Sequence, residues 1–398
     1  MELSKKNLRS FHFRKLHLGG DGELTDLFEL AEPIAMQAFD KDRPLWEFYL
    51  VDGLRDGKAG VIMKLHHAVS DGVGLVEMTK TMVEKGPDEA AAKRSHRTLS
   101  DLPAPEPADR STLVRDALAH RVEVGRKNAR RLFSGAADLV SDLVRHPAET
   151  VDRARDMAGS VRRLLEPITE PKSPVMRDRG MALSLSGFAV SLADMKKTGR
   201  AMGGSVNDVF VTAVAGGLRR YHEHFGARVD ELNMMMPINM RAKDESGRKA
   251  GNQFVPSRFL VPVGIEDPLD RMEAIQDRIR EQRGESALGY VEDIMTVMNQ
   301  LPDAVMQGVM EGMTTAVDFV TSNVPGPRSA TYTAGAKIEQ MFPFGPPAGA
   351  AVNITLFSYD GTCHVGINAD RAAVEAPELL RECIEKSMVE LLSNYDEE

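Results

Sequence analysis

The residues best suited to chemistry lie in one short run, Lys64-Leu65-His66-His67-Ala68-Val69-Ser70-Asp71-Gly72. Two adjacent histidines, a three-residue gap and an Asp-Gly pair form a rare spacing. Average residue frequencies would produce it in about one chain in a thousand of this length. Histidine is the usual side chain for taking a proton from an alcohol near neutral pH. The competing reading is a packed or surface His-His pair with no chemical duty. A metal site would need a third ligand. The sequence supplies neither a His-x-x-x-His pair on a helix nor a cysteine cluster, so no metal is expected.

The elements that must position these histidines are legible on both sides. Val61, Ile62, Met63 and Leu65 follow Gly60, the pattern of a strand over 60–66. Successive strand side chains point to opposite faces. His66 and His67 therefore line one cavity only if the strand ends at His66 and the chain turns there. One imidazole does chemistry and the other holds the turn. Beyond Gly72 the spacing becomes helical, with Leu75, Met78 and Met82 on one stripe. The pair thus falls where a strand gives way to a loop, a common place for working side chains. Upstream, Asp42-Arg43-Pro44-Leu45-Trp46 leads into a strand over 46–54. Pro44 fixes its approach, and Trp46, the only tryptophan, is expected to anchor the core.

At 398 residues the chain is long for one core, and two domains are expected. The net charge of -9 argues against a nucleic-acid partner. Two cysteines, Cys363 and Cys383, make no disulfide framework and suit small packed side chains in a reducing, cytoplasmic setting. No run of eighteen apolar residues exists, and the N-terminus lacks the apolar core of a signal peptide.

Along the chain, a first lobe over 1–110 carries strands over 11–18, 46–54 and 60–66 and a helix over 24–39. Its last part, 86–110, is a proline-rich linker with Pro87, Pro103, Pro105 and Pro107. A helical crossover over 111–175 has an apolar face that includes Leu118, Val122 and Leu132, with many arginines opposite. That basic side is either a solvated face or one attracted to anionic lipid. The second lobe, 176–398, has alternation over 182–192 and a helix over about 205–225, with Ser205 or Asn207 as its N-cap and Asp208 in its first turn. Strands follow over 232–238, 259–263 and 316–322. Helices follow over 268–283, after Tyr290 and over 378–392. A hairpin over 353–367 turns at Asp360-Gly361. The order is mixed, so the class is α/β with mixed sheets flanked by helices.

No Gly-x-Ser-x-Gly elbow is present, and Gly72-Val73-Gly74 lacks the third glycine of a dinucleotide loop. A histidine base without a protein nucleophile points to direct attack by a substrate hydroxyl on an activated acyl group.

His66-His67-x-x-x-Asp71-Gly72 resembles the signature of the CoA-dependent acyltransferase superfamily. With Pro44-Leu45-Trp46-Glu47, Asn207-Asp208-Val209 opening a helix, Gly251-Asn252 and Ser322-Asn323-Val324-Pro325-Gly326-Pro327, the chain more narrowly resembles the bacterial wax ester synthase/diacylglycerol acyltransferase family. The resemblance runs from about Phe11 to near the C-terminus. It implies a two-lobed fold with a channel between the lobes. It implies acyl-CoA as donor substrate, diacylglycerol or a long-chain alcohol as acceptor, and no cofactor. Peripheral contact with a membrane or lipid droplet would suit such substrates. His67 would be the general base, with His66 beside it, and Asp71 would be structural, turned toward an arginine such as Arg241. Asn207 would support the site from the second lobe. Pro44, Leu45, Trp46, Gly72 and Asp208 would support the surrounding loops, and Ser322 and Asn323 join Asn207 as oxyanion donors. Family members also carry several tens of residues before the segment matching Phe11, so the first lobe is expected to be shortened. The rival readings are acylation of a polyketide or sugar hydroxyl and a non-catalytic protein that binds lipid surfaces.

Overall fold

The computed structural model describes residues 11–67, 69, 79, 82–88, 115, 119, 126, 170–239, 254–283 and 316–393. The chain divides into two compact units, and every element below lies in the one made of Lys5–Ser95, Pro167–Gly284 and Met310–Glu398. The helices expected after Gly72, over 111–165 and after Tyr290 lie almost wholly outside the described residues, as does most of the linker over 86–110.

The first sheet has three strands, β1 (Phe13–His17), β2 (Trp46–Asp52) and β3 (Gly60–Leu65), in that spatial order. β1 runs parallel to β2, and β3 is antiparallel to it, with Trp46 opposite Leu65 and Glu47 opposite Lys64. Helix α1 (Leu24–Met36) links β1 to β2 and starts at a capping box, in which the Asp26 carboxylate accepts from the Glu23 N–H at 2.9 Å. Its apolar stripe covers one face of the sheet, where Leu18, Ile34, Tyr49 and Val51 form a core with Leu16, Leu27 and Ile62 around them. On the opposite face Phe13, Leu50, Val61 and Met63 stay 56%, 47%, 53% and 37% exposed. Trp46 is only half-buried. Rather than filling the core, it stacks among His12, Phe13 and Phe48, with ring centroids 4.3, 5.5 and 5.1 Å away.

The second sheet has six strands: β4 (Leu183–Ser191), β5 (Glu231–Asn239), β6 (Phe254–Pro262), β7 (Phe319–Pro325), β10 (Val352–Tyr359) and β11 (Thr362–Asp370), in the order β4-β11-β10-β7-β5-β6. The central β5, β7 and β10 are parallel, and the outer pairings are antiparallel. Two short strands, β8 (Tyr332–Thr333) and β9 (Ala336–Lys337), pair separately. The β10–β11 hairpin turns at Asp360 (φ 45°) and Gly361 (φ 84°), as the sequence predicts. Helices α2 (Leu192–Ala201), α3 (Val206–His224), α4 (Pro268–Arg283) and α5 (Pro377–Ser393) accompany this sheet. α3 is central: it packs on α2, α4 and α5 and is buried nearly all round from Asp208 to Leu218.

The other face of the six-stranded sheet is crossed by the loop that follows β9. A Cβ on Gly366 would meet the Pro343 carbonyl oxygen at 1.8 Å, and one on Gly187 would meet the Phe342 ring at 2.8 Å. These two glycines face each other across β4 and β11, so the paired absence of side chains lets the loop lie against the sheet. Phe342 and Phe344 then meet Phe28 of α1 edge-on at 5.2 and 5.3 Å. Beside them the Glu32 carboxylate of α1 accepts from the β4 N–H of Leu185 and from Arg371, each at 2.9 Å. These contacts join the first sheet to the second.

Several expectations change. β7 forms over Phe319–Pro325 rather than 316–322, and β6 begins at Phe254 rather than 259. Leu192–Ala201, of which the alternation takes only Leu192 as a strand end, is a helix. Of the two N-cap candidates for α3, Ser205 holds the position.

Candidate functional site

The histidine strand ends at Leu65, and the chain turns at once. The His66 N–H donates to the Leu45 carbonyl at 3.0 Å, and the Val69 N–H donates back to the His66 carbonyl at 2.9 Å. The Leu45 carbonyl thus holds the turn, at a bend where the neighbouring Pro44 carbonyl accepts from the Trp46 N–H at 2.9 Å. Both His66 and His67 are exposed, so neither ring is walled off inside the protein. His66 makes an edge-to-face contact with Phe39 at 5.9 Å and 70°.

Beneath the turn lies a set of polar side chains on the α1 face of the sheet. Glu47, 5% exposed, accepts from the Tyr49 hydroxyl, which in turn accepts from Arg14 at 3.2 Å. Burial, together with the Glu47 carboxylate, pushes Tyr49 up to about 12. Lys64 lies across from Glu47; burial lowers its pKa, with Glu47 pulling the other way. Sequence reading named Glu47 only as part of a motif. Its partners Tyr49 and Lys64 lie at alternate positions of β2 and β3, and that period-two spacing was the available signal.

In the second sheet, α3 starts beside the carboxyl ends of β5 and β7. Asp208, 8% exposed, accepts from the backbone N–H of Ser205 at 2.7 Å and from its hydroxyl at 2.8 Å. Asp208 is therefore a cap, as its first-turn position predicts. Asn207, next to it, directs its Nδ2 at the Met236 sulfur of β5, 3.6 Å away. A thioether is a weak acceptor, so this amide makes no strong internal bond there.

Ser322 and Asn323 separate. They are adjacent in β7, so they face opposite sides of the sheet. Ser322 is half-buried, opposite Thr355 of β10. Asn323 is exposed and shares its face with Thr321, whose hydroxyl donates to the Met234 sulfur at 3.3 Å. Met234 and Met236 alternate onto one face of β5, so Asn323 lies on the same side of the sheet as Asn207. The described contacts bring Asn207 and Asn323 to one side and join neither to His67. Asp71, Gly72 and Arg241 lie outside the described residues.

A second grouping of serine, histidine and aspartate has no counterpart in the sequence reading. The Ser173 hydroxyl lies 2.8 Å from His222 Nε2, while His222 Nδ1 lies 2.7 Å from the Leu218 carbonyl. Asp318 accepts from three backbone N–H groups, Lys172 at 3.2 Å, Ser173 at 2.9 Å and Asn233 at 2.7 Å. Burial raises the Asp318 pKa and lowers that of His222. The aspartate binds backbone rather than the imidazole, and all three residues are at most 1% exposed. This is a structural clasp, not a nucleophile relay. Both cysteines are buried and unpaired, and burial pushes the Cys363 thiol up to about 11. Among the described residues no group of three His, Cys, Asp or Glu could hold a metal, and no helix is long and apolar enough to cross a membrane.

Comparison with known proteins bears on the same regions. The wax ester synthase/diacylglycerol acyltransferase catalytic domain profile matches residues 8–210, and that of the WS/DGAT C-terminal domain matches 250–392. A Mycobacterium tuberculosis (strain H37Rv) protein provisionally named a diacylglycerol O-acyltransferase is 34% identical over 383 residues, covering 96% of this chain and 76% of the relative. A similarly named Mycobacterium bovis protein is 27% identical over 388 residues, covering 96% of this chain and 81% of the relative. Among solved structures, the wax ester synthase/diacylglycerol acyltransferase from Marinobacter aquaeolei VT8 aligns with a TM-score of 0.60 at 19% identity, covering 96% of this chain and 80% of that one. The first condensation domain of the calcium-dependent antibiotic synthetase aligns with a TM-score of 0.52 at 15% identity, covering 96% and 76%. At these identities the structural likenesses bear on fold, and they agree with the two-lobed mixed α/β arrangement.

Proposed function

Because the chain belongs to the wax ester synthase/diacylglycerol acyltransferase family and is an acyltransferase, we propose that it moves a fatty acyl group from acyl-CoA to diacylglycerol or a long-chain alcohol, with His67 as general base. The observation that carries this reading is the exposed His66-His67 turn at the end of β3, inside the segment matched by the family's catalytic domain.

In this mechanism the acceptor hydroxyl gives its proton to the imidazole of His67. The oxygen attacks the thioester carbonyl, and amide donors meet the tetrahedral oxyanion. Asn207 and Asn323 suit that role together, since both belong to the helix side of the six-stranded sheet, near the carboxyl ends of its parallel strands; open α/β sheets commonly bind ligands outside such ends. Ser322 would act only from the opposite face. Collapse expels CoA thiolate, and the imidazolium returns its proton to it. His66 holds the turn, Asp71 is structural with Arg241 as its partner, and Gly72, Pro44, Leu45, Trp46 and Asp208 shape the loops. Acyl-CoA is a substrate, and the reaction needs neither cofactor nor metal. Long-chain acceptors place the enzyme in peripheral contact with the cytoplasmic side of a membrane or with a lipid droplet.

The test is release of CoA thiol from palmitoyl-CoA with hexadecanol, diacylglycerol and short alcohols as acceptors. A positioned base contributes about 10²- to 10⁴-fold in rate, and His67→Ala should lose that much with an unchanged melting temperature. Turnover equal to wild type would remove His67 from the mechanism. No thiol release with any acceptor would leave a non-catalytic lipid binder, and release with short alcohols alone would favour acylation of a small metabolite.

A further inference from the structure

Lys64 is the penultimate residue of β3 and His66 stands just past its end, yet both side chains turn to one place. What they meet there is the segment that follows α1. The Lys64 ammonium donates to the Gln37 carbonyl at 2.5 Å and lies 4.5 Å from the centroid of the Phe39 ring. The His66 imidazole rests on the same ring, edge to face, at 5.9 Å and 70°. Phe39 is half-buried while His66 is exposed. One aromatic ring is therefore held by a cation and in turn supports the first imidazole of the motif.

The two contacts differ in kind. An ammonium over a ring face is attracted by the ring's quadrupole. A ring pair at this separation has a preferred orientation. Together they stitch the strand end to the loop after α1, and the His66 N–H to Leu45 carbonyl bond at 3.0 Å adds a third point. With His66 held on this side, the turn that begins there carries His67.

We infer that Phe39, backed by Lys64, is a positioning residue: it seats His66 and thereby fixes the turn from which His67 is presented. The inference rests on the proposed role of His67. It predicts that removing the aromatic ring impairs turnover more than substrate binding, because the base is misplaced while the binding surface stays.

The test uses the full chain with Phe39→Leu, Phe39→Trp, Lys64→Met and His67→Ala, thiol-release kinetics, and spectra of ¹³C-labelled histidine rings with His66 assigned by its loss in His66→Gln. Small displacements of a catalytic group cost up to about 100-fold in rate, so Phe39→Leu should lower kcat by about tenfold with KM within about twofold of wild type. Its His66 ring signal should move, since the Phe39 ring current is gone, and Phe39→Trp should restore most of kcat. Lys64→Met should lower kcat by about threefold, the worth of an exposed cation–ring contact. If Phe39→Leu leaves kcat unchanged while His67→Ala is inactive, the inference fails and the acyltransfer mechanism stands. If His67→Ala remains active, that mechanism fails, and the His66 signal alone decides: an unmoved signal in Phe39→Leu overturns the seat. Should Phe39→Leu not fold, Lys64→Met carries the same decision, and unchanged kcat with an unmoved His66 signal overturns it.

Discussion

The two sheets of this protein are built to different standards of burial. In the six-stranded sheet β10 and β11 are buried at almost every position, because helices lie on one face and the loop carrying Phe342 and Phe344 on the other. In the three-stranded sheet β1 alternates between exposed and half-buried positions, and one face keeps Phe13, Leu50, Val61 and Met63 open. The candidate base sits on the lightly buried sheet, at a strand end. The amide candidates sit where the heavily buried sheet meets its helices. Reacting groups must be reachable, whereas the frame that holds them gains by exclusion of water. On the proposed reading, one chain meets both demands with separate sheets.

Substitutions at opposite ends of this contrast should behave very differently. The largest effect is expected at Asp318, where alanine would leave three backbone N–H groups without their acceptor, those of Ser173 and Asn233 buried. A cost of about 3 kcal/mol or more follows from unpaired buried donors. Urea denaturation would measure it, and a loss under about 1 kcal/mol would mean that the six-stranded frame tolerates these unpaired groups.

An intermediate effect concerns pH. Burial lowers the His364 pKa to about 4 from an ordinary 6.5, and lowers that of His222 as well. Between those values the unfolded chain binds more protons than the folded one. Stability should therefore fall as pH drops from about 6.5 toward about 4. Asp318, whose pKa is raised, acts in the opposite sense over the acid part of that range. The His364 share is read as the difference from His364→Leu, whose melting temperature should depend less steeply on pH. Equal slopes in both proteins would contradict a buried, uncharged His364. The smallest effect is expected on the open face of the first sheet: Val61→Thr keeps a β-branched strand residue and should stay within about 0.5 kcal/mol of wild type. A larger loss in its denaturation midpoint would show that this face is covered by something that burial of the described residues does not reveal.

Much of this arrangement is legible in the sequence, and the exceptions have physical causes. The histidine strand, the hairpin at Asp360-Gly361 and the helix over Pro268–Arg283 follow directly from periodicity and turn chemistry. Helix α2 does not, because its N-cap Ser191 is also the last residue of β4; no turn residue separates the two patterns. β7 starts later than its apolar run suggests because Asp318, just before it, is drawn inside as a backbone acceptor. Its end extends to Pro325, which is tolerated at a strand terminus. The Ser173–His222–Asp318 clasp joins single polar residues far apart in the chain, which no spacing rule connects. The close approach of Phe342 and Pro343 had one available signal, the isolated glycines Gly187 and Gly366 inside apolar strands. Of the candidate site, the identity of His66, His67 and Asn207 is plain from their motifs, but the division of Ser322 from Asn323 depends on strand alternation.

That division has a consequence for how the helix side of the sheet is encoded. β7 is held by parallel pairing to β10 along its length and to β5 at Met234 and Met235. Sliding it by a single position would swap which of the carboxamide and the hydroxyl meets the helices. The neighbours that lock β7 in place thus decide which polar group faces the helices as surely as the residues themselves do, and a one-residue shift of β7 against them would rewrite the polarity of that wall without altering any side chain in it.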